Sequence, residues 1–225
     1  MRECIAFYLA SSQKLGRKKL LIDAAGGHGG VALVFRAFRR VERAIVVDMY
    51  EPQSFANLRS AWMPEDEGTS SEVRFQRGDL GRPGWLKSLL EEEAVAAEDA
   101  VLVACHACSL LSDELIRQCI ACEVEFAIMP CCQGEESQRG QMMRNTGKLL
   151  DIEHGTVIDL TRLGVIDGSP GYKAMMKCID PSITPQNRIL LGLRETEQDA
   201  RRRLLDRSRS LSKLARKYRH IAWSR

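Results

Sequence analysis

No run of about eighteen apolar residues occurs anywhere in the 225-residue chain, which excludes the apolar membrane helix that such a run would form. Residues 1–10 are too short in apolar character for a secretory leader, and Glu3 interrupts them early. Internal repeats and long low-complexity tracts are missing as well, and the only polar interruption of note is a surface loop expected over 63–71. What remains is a chain of ordinary domain length with 44% hydrophobic residues, enough to fill the core of one α/β unit.

Glycine is placed where it informs most. Residues 19–30 form an apolar run that ends in Asp23 and opens into Ala-Ala-Gly-Gly-His-Gly29, and about twenty residues later Ile45-Val-Val-Asp48 ends in a second acid. The pattern predicts a strand, a glycine turn, a helix over 31–38 and a second strand tipped with a carboxylate, the way an α/β sheet builds a nucleoside pocket. Gly27 and Gly29 would let the backbone approach a ligand and adopt positive φ. The helix N-terminus would point at the site, and Asp48 could accept hydrogen bonds from both ribose hydroxyls.

Two cofactor classes share this plan. Gly27-His-Gly29-Gly-Val-Ala32 satisfies the G-x-G-x-x-[GA] pattern of dinucleotide binders. Asp23 shifts the balance, because acid-x-(Gly/Ala)-x-Gly-x-Gly is the first motif of S-adenosylmethionine (SAM) methyltransferases. A carboxylate inside the turn suits the cationic amino-acid end of SAM and would repel a pyrophosphate. The cofactor-facing set is then Asp23, Ala25, Gly27, His28, Gly29, Asp48 and Met49. Asp79 and Leu80, at the end of a third strand beginning at Val73, would read the adenine edge, and Cys105 lies at the end of a fourth strand, 100–105. An NAD-dependent oxidoreductase remains as an alternative.

Further strands are expected at 126–129 and, as an antiparallel hairpin, at 173–179 and 188–193, with a helix over 112–122 whose N-cap is Ser112. The fold expected is α/β, a doubly wound Rossmann-like seven-stranded sheet with an antiparallel C-terminal hairpin, the class I methyltransferase plan. Its parts would be a helix over the cofactor mouth in 1–18, the SAM-binding domain in 19–193 and a basic helix in 194–225.

Eight cysteines invite a zinc ribbon from Cys105-x-x-Cys108 and Cys119-x-x-Cys122. The second pair, however, falls at the far end of a helix spanning about 16 Å, so packed thiols and no bound metal are expected. Unpaired thiols suit a reducing compartment, the cytoplasm with the nucleus as alternative. His106 follows the fourth strand, where a neutral imidazole could take a proton from an acceptor; a histidine merely bonded to a neighbouring loop is the other reading. His28 reads as a turn residue, and His154 and His220 belong to no constellation.

Asp23-Ala-Ala-Gly-Gly-His-Gly29, Cys105-His-Ala-Cys108 with Ser112-Asp113 behind it, and Met129-Pro-Cys-Cys-Gln133 together resemble a methyltransferase-domain family. It includes tRNA 2′-O-methylating enzymes, the methyltransferase-like 25 proteins and the module attached to a glutathione-transferase-like C-terminal domain. The resemblance runs from about Lys19 to Leu193 and implies SAM-dependent methyl transfer, with Pro130, Cys131 and Cys132 on the substrate side. Members usually carry glycine and histidine where this chain has Ser109 and Gln133, which keeps open a non-catalytic binding module that retains the fold. Lack of an Asn/Asp-Pro-Pro-Tyr/Phe tetrapeptide after the fourth strand argues against an exocyclic base amine as acceptor.

Charge supplies the substrate hint. Residues 201–225 carry ten Lys or Arg and one acid, Asp206, whereas the first two hundred are net negative. Such a segment could clamp an RNA backbone. It could also be an amphipathic helix with a solvated basic face, Leu204, Leu205, Leu211 and Leu214 lying near helical spacing and the first three docking it on the sheet's flank, or a site for a protein partner. RNA, tRNA included, stands slightly ahead of protein or small-molecule acceptors, and no membrane partner is expected.

Overall fold

The computed structural model describes residues 1–63, 72–131 and 138–217. Most of the 63–71 loop, together with Cys132, Gln133 and 218–225, lies outside them.

Apolar runs rich in Val, Ile and Leu make the central strands, because a parallel strand is buried on both faces. In chain order the elements are α1 (Arg2–Leu15), β1 (Lys18–Ala24), α2 (Gly30–Ala37), β2 (Val41–Asp48), α3 (Gln53–Trp62), β3 (Val73–Arg77), α4 (Trp85–Glu92), β4 (Ala100–Cys105), α5 (Leu110–Ala121), β5 (Glu125–Met129), α6 (Gln138–Leu150), α7 (His154–Gly168), β6 (Tyr172–Cys178), β7 (Arg188–Arg194) and α8 (Glu197–Lys217). One seven-stranded sheet results, in the order β3-β2-β1-β4-β5-β7-β6. Strand β7 runs antiparallel to both β5 and β6, and every other pairing is parallel. The expected doubly wound sheet with its antiparallel end is what forms.

Alternation along β1 divides the core. Leu21 joins Phe7, Val34, Phe35 and Phe55 on the face covered by α1, α2 and α3. Leu20, Ile22 and Ala24 join Leu86, Leu115 and Ile166 on the face covered by α4, α5 and α7. By the same alternation Asp23 faces α2. Strand order reverses between β1 and β4, and that switch point opens a crevice at the carboxyl ends of the strands, where open α/β sheets hold their ligands.

Two expectations need correction. Ser112 does not cap α5, which begins at Leu110 after Ser109; instead its hydroxyl, buried in the first turn, donates to the Ala107 carbonyl at 2.5 Å. The leucines of α8 do not dock it on the sheet, since Leu204, Leu205 and Leu211 are all exposed; nothing is described of the Leu214 side chain. Arginines hold the helix: Arg203 donates to Asp167, to Glu195 and to the Tyr172 carbonyl, and Arg207 to Asp167.

Candidate functional site

Asp23 is fully buried at the end of β1. Its Oδ2 accepts from the Ala32 N–H at 3.0 Å, so the acid caps the first turn of α2, where the helix dipole favours negative charge. Its Oδ1 is buried with no hydrogen-bond partner. Burial pushes the carboxyl up to about 7, against the Ala32 N–H, with the Asp48 charge adding to the rise.

The glycine turn has the conformation the sequence implies, with φ of 50° at Gly27 and 72° at Gly29. Their reasons for being glycine differ. A Cβ at Gly27 would meet nothing within 4 Å, so its backbone faces open space; at Gly29 it would lie 2.8 Å from Phe55. Gly29 therefore serves packing, and only Gly27 leaves room for a ligand. Ala25 shares the left-handed conformation at φ 54°. His28 is exposed, and its Nδ1 accepts from the Gly30 N–H.

Asp48 ends β2 half-buried, where its two oxygens accept from the Gly27 N–H at 3.0 Å and the Met49 N–H at 2.7 Å. Each carboxylate oxygen keeps a lone pair for a further donor. Met49 is exposed beside it. Asp79 is exposed beyond the end of β3, and its Oδ1 accepts from the Gly81 N–H. Leu80 packs into the core under α4 and α5, and its carbonyl accepts from Gln118 Nε2, which leaves only its N–H for the site. Buried Gln118 also donates to the Arg82 carbonyl and accepts from the Leu86 N–H, so it fixes this whole loop. Sequence gives no sign of that role, since Gln118 reads there as one more residue of an amphipathic helix.

Across the switch point lie Cys105 and His106. The His106 backbone donates to the Met129 carbonyl, and its own carbonyl accepts from Cys131 Sγ at 3.5 Å. The Cys-His-Ala-Cys and Pro-Cys segments are thus brought together, with Pro130 buried between. His106 Nε2 lies 2.7 Å from Glu3 Oε2 on the first turn of α1. Glu3 is the partner sequence reasoning missed, for nothing in its spacing links it to residue 106. Cys119 and Cys122 sit at the far end of α5, Cys119 in the core, so the two Cys-x-x-Cys pairs do not converge.

The 106–109 turn is strained and braced. His106 has φ 73°, and Ser109 has φ 52° with ψ −126°, a conformation natural to glycine. Bracing comes from Ser112 through Ala107 and from Arg162 of α7, which donates to the Ser109 carbonyl at 3.1 Å and to Asp113. The Ser112-Asp113 pair behind the thiols therefore holds the turn in place. Ser109→Gly is expected to stabilise the protein by about 1 kcal/mol by relieving this strain, read as a higher urea midpoint at unchanged slope. A lower midpoint would mean that the Ser109 side chain earns its place by contacts.

Neither a family model nor a curated protein matches the chain. Solved structures do match in fold. The apo S-adenosylmethionine-dependent methyltransferase SibL superposes with a TM-score of 0.52 at 13% identity, over 85% of this chain and 55% of SibL. A Streptococcus agalactiae protein of the NADB-Rossmann superfamily gives 0.51 at 11% identity, over 87% and 68%. Streptococcus pneumoniae Sp1610, described as a candidate tRNA (m1A22) methyltransferase and solved with S-adenosyl-L-methionine, gives 0.50 at 11%, over 89% and 77%. The chain spans little more than half of SibL. Its fold is the Rossmann-like one of class I methyltransferases.

Proposed function

We propose that the protein binds SAM at the β1–β2 carboxyl edge and transfers its methyl group to an acceptor, RNA being the acceptor class the charge distribution favours. The observation that carries this reading is Asp23: a fully buried carboxyl whose Oδ1 has no partner, beside a turn whose Gly27 faces open space. A dinucleotide would set a pyrophosphate against that acid; SAM would offer its ammonium. Asp48 would hold the ribose hydroxyls, Met49, Asp79 and the Leu80 N–H would line the adenine, and Ala25, His28 and Cys105 would close the methionine end.

When bound, SAM supplies a methyl group already activated on sulfur, so the protein's task is alignment and exclusion of water. His106 would accept the acceptor's proton, with Glu3 Oε2, 2.7 Å from Nε2, fixing the imidazole. Cys131, Pro130 and, beyond the described residues, Cys132 would form the acceptor wall. The strained turn at 106–109 fits a functional site. Calorimetric titration tests the assignment: SAM is expected to bind in the micromolar range and NAD not at all, and the reverse result overturns it.

The RNA preference rests on α8. Arg201, Arg202, Arg209, Lys213 and Arg216 are exposed, and among the described residues only Arg209 of these has an acid within reach, Asp206 at 3.7 Å. A groove of about 1260 Å³ runs between α8 and the end of β7, lined by Lys173, Arg194 and Arg202 as well as by the acids Glu195, Asp199 and Asp206. Removing residues from 208 onward keeps Arg203 and Arg207, hence the helix's anchorage. The truncated protein is expected to retain SAM affinity, bind tRNA more weakly and show a shallower dependence of log K on log salt. An unchanged salt slope would instead favour a protein or small-molecule acceptor.

A further inference from the structure

The described residues contain one cluster of mixed nitrogen, oxygen and sulfur donors. One ligand atom each of Glu3, Cys105 and His106 lies within 4.8 Å of the others. Consecutive residues of a strand point to opposite faces, so Cys105 and His106 could not converge had β4 simply continued. The left-handed backbone at His106, φ 73°, ends the strand and turns the imidazole back beside the thiol. Glu3 then arrives from the first turn of α1, its Oε2 at 2.7 Å from Nε2 and its Oε1 buried with no hydrogen-bond partner.

Further carboxyl and thiol groups surround the cluster. The Glu3 and Asp23 carboxyls and the Cys4 and Cys131 thiols all lie near enough to the Cys105 thiol to act on it. Carboxyl, thiol and imidazole side chains gathered at one place offer the donor atoms that a borderline-soft divalent ion takes. His106 and Glu3 remain partly exposed, at 39% and 26% of their side-chain surface, so an ion can enter from solvent.

We propose that Glu3, Cys105 and His106 form a three-ligand centre for a thiophilic divalent cation, zinc above all, with a fourth position left to water or to an acceptor atom. Imidazole nitrogen, thiolate and carboxylate are the donors zinc accepts, and three protein ligands plus one exchangeable position is the arrangement of reactive rather than purely structural zinc. Binding would form a metal–sulfur bond and release the Cys105 thiol proton to solvent. The centre is distinct from the ribbon that the two Cys-x-x-Cys pairs suggest, because Cys119 and Cys122 take no part. It stands on the donor set and independently of the methyl-transfer reading, although an ion on Nε2 would displace the proton-accepting role given to His106 above.

The test uses the full chain, stripped with a chelator and titrated with cobalt(II) chloride alone. One equivalent is expected to bind and to show thiolate-to-cobalt charge-transfer absorption in the near ultraviolet together with the visible bands of four-coordinate cobalt, both abolished on displacement by zinc. Cys105→Ser is expected to remove the charge-transfer band, and His106→Gln and Glu3→Gln each to weaken binding at least tenfold, while Cys119→Ser leaves the spectrum unchanged. His106 is partly exposed, so its variant repeats the test should Cys105→Ser fold poorly. Absence of saturable binding, or a charge-transfer band that survives Cys105→Ser in a folded protein, overturns the proposal. SAM titrations of the metal-free parent protein report on the cofactor reading alone, so the two fail separately.

Discussion

Asp23→Asn is expected to abolish the pH dependence of SAM binding and to weaken that binding at pH 8 by roughly ten- to a hundredfold, the scale of losing a hydrogen bond to a charged group. Burial holds the carboxyl at about 7, so in the free protein it is largely protonated below that value. A cationic ligand beside it favours the ionised form, and affinity in the parent protein should climb by up to tenfold per pH unit toward pH 7, then level off. Proton release on binding, measured calorimetrically in buffers of different ionisation enthalpy, reports the same linkage. Asparagine cannot ionise, yet its carbonyl can still accept from Ala32, so the cap on α2 survives.

Stability without ligand should move the other way. The folded carboxyl titrates above its unfolded value, so the folded state binds the proton more tightly, and the Asp23 contribution is most favourable below the unfolded pKa near 3.8. It is lost as pH rises between about 4 and 7. The variant escapes that loss, and its melting temperature at pH 8 should exceed the parent's while the two converge at low pH. A pH slope in SAM affinity that persists in the variant would mean that another group is responsible.

Arg162→Ala is expected to destabilise the protein by about 3–5 kcal/mol, because it strips one partner from the buried Asp159 and the partner from half-buried Asp113 and leaves the Ser109 carbonyl without its donor. Arg162 is 3% exposed and holds Asp113 at 3.0 Å and Asp159, itself 3% exposed, at 3.4 Å. Arg188 of β7 approaches Asp159 at 2.7 Å from the other side, and Glu153 at 3.4 Å. This network ties α7 to α5, to β7 and, through the Ser109 carbonyl, to the turn that carries His106. Arg162→Met would retain part of the packing and should cost less. Denaturant melts check both, and a loss below about 1 kcal/mol for alanine would show that Arg188 alone suffices for Asp159.

The architecture was legible because its signals are local. The apolar runs at β1, β4 and β5, the glycine turn after Asp23 and the acid ending Ile45-Val-Val-Asp48 each report buried parallel strands and the crevice at their ends. The hairpin of β6 and β7 was readable from two β-rich runs around a proline-containing loop. Helices α6 and α7 carry no comparable pattern, and α7 packs at the site's edge through Arg162, whose pairing with Asp113 spans 49 positions.

Sequence by itself determined the strands along the chain, the class of sheet they form and the identity of Asp23, Gly27, Asp48, Cys105 and His106 as residues at one edge, since each follows from hydrophobic periodicity and from what glycine and carboxylate can do at a strand end. It determined too that the Cys-x-x-Cys pairs would lie apart, because a helix separates them. Tertiary structure alone decided which side chains touch. Glu3 meets His106 because α1 folds back over the switch point, Ser112 bonds to Ala107 rather than capping its helix, and the basic helix α8 is held by Arg203 and Arg207 with its leucines outside. Those contacts join positions far apart in the chain, and a hydrogen bond across such a distance depends on the path of the backbone between its ends, which no local pattern of residues records.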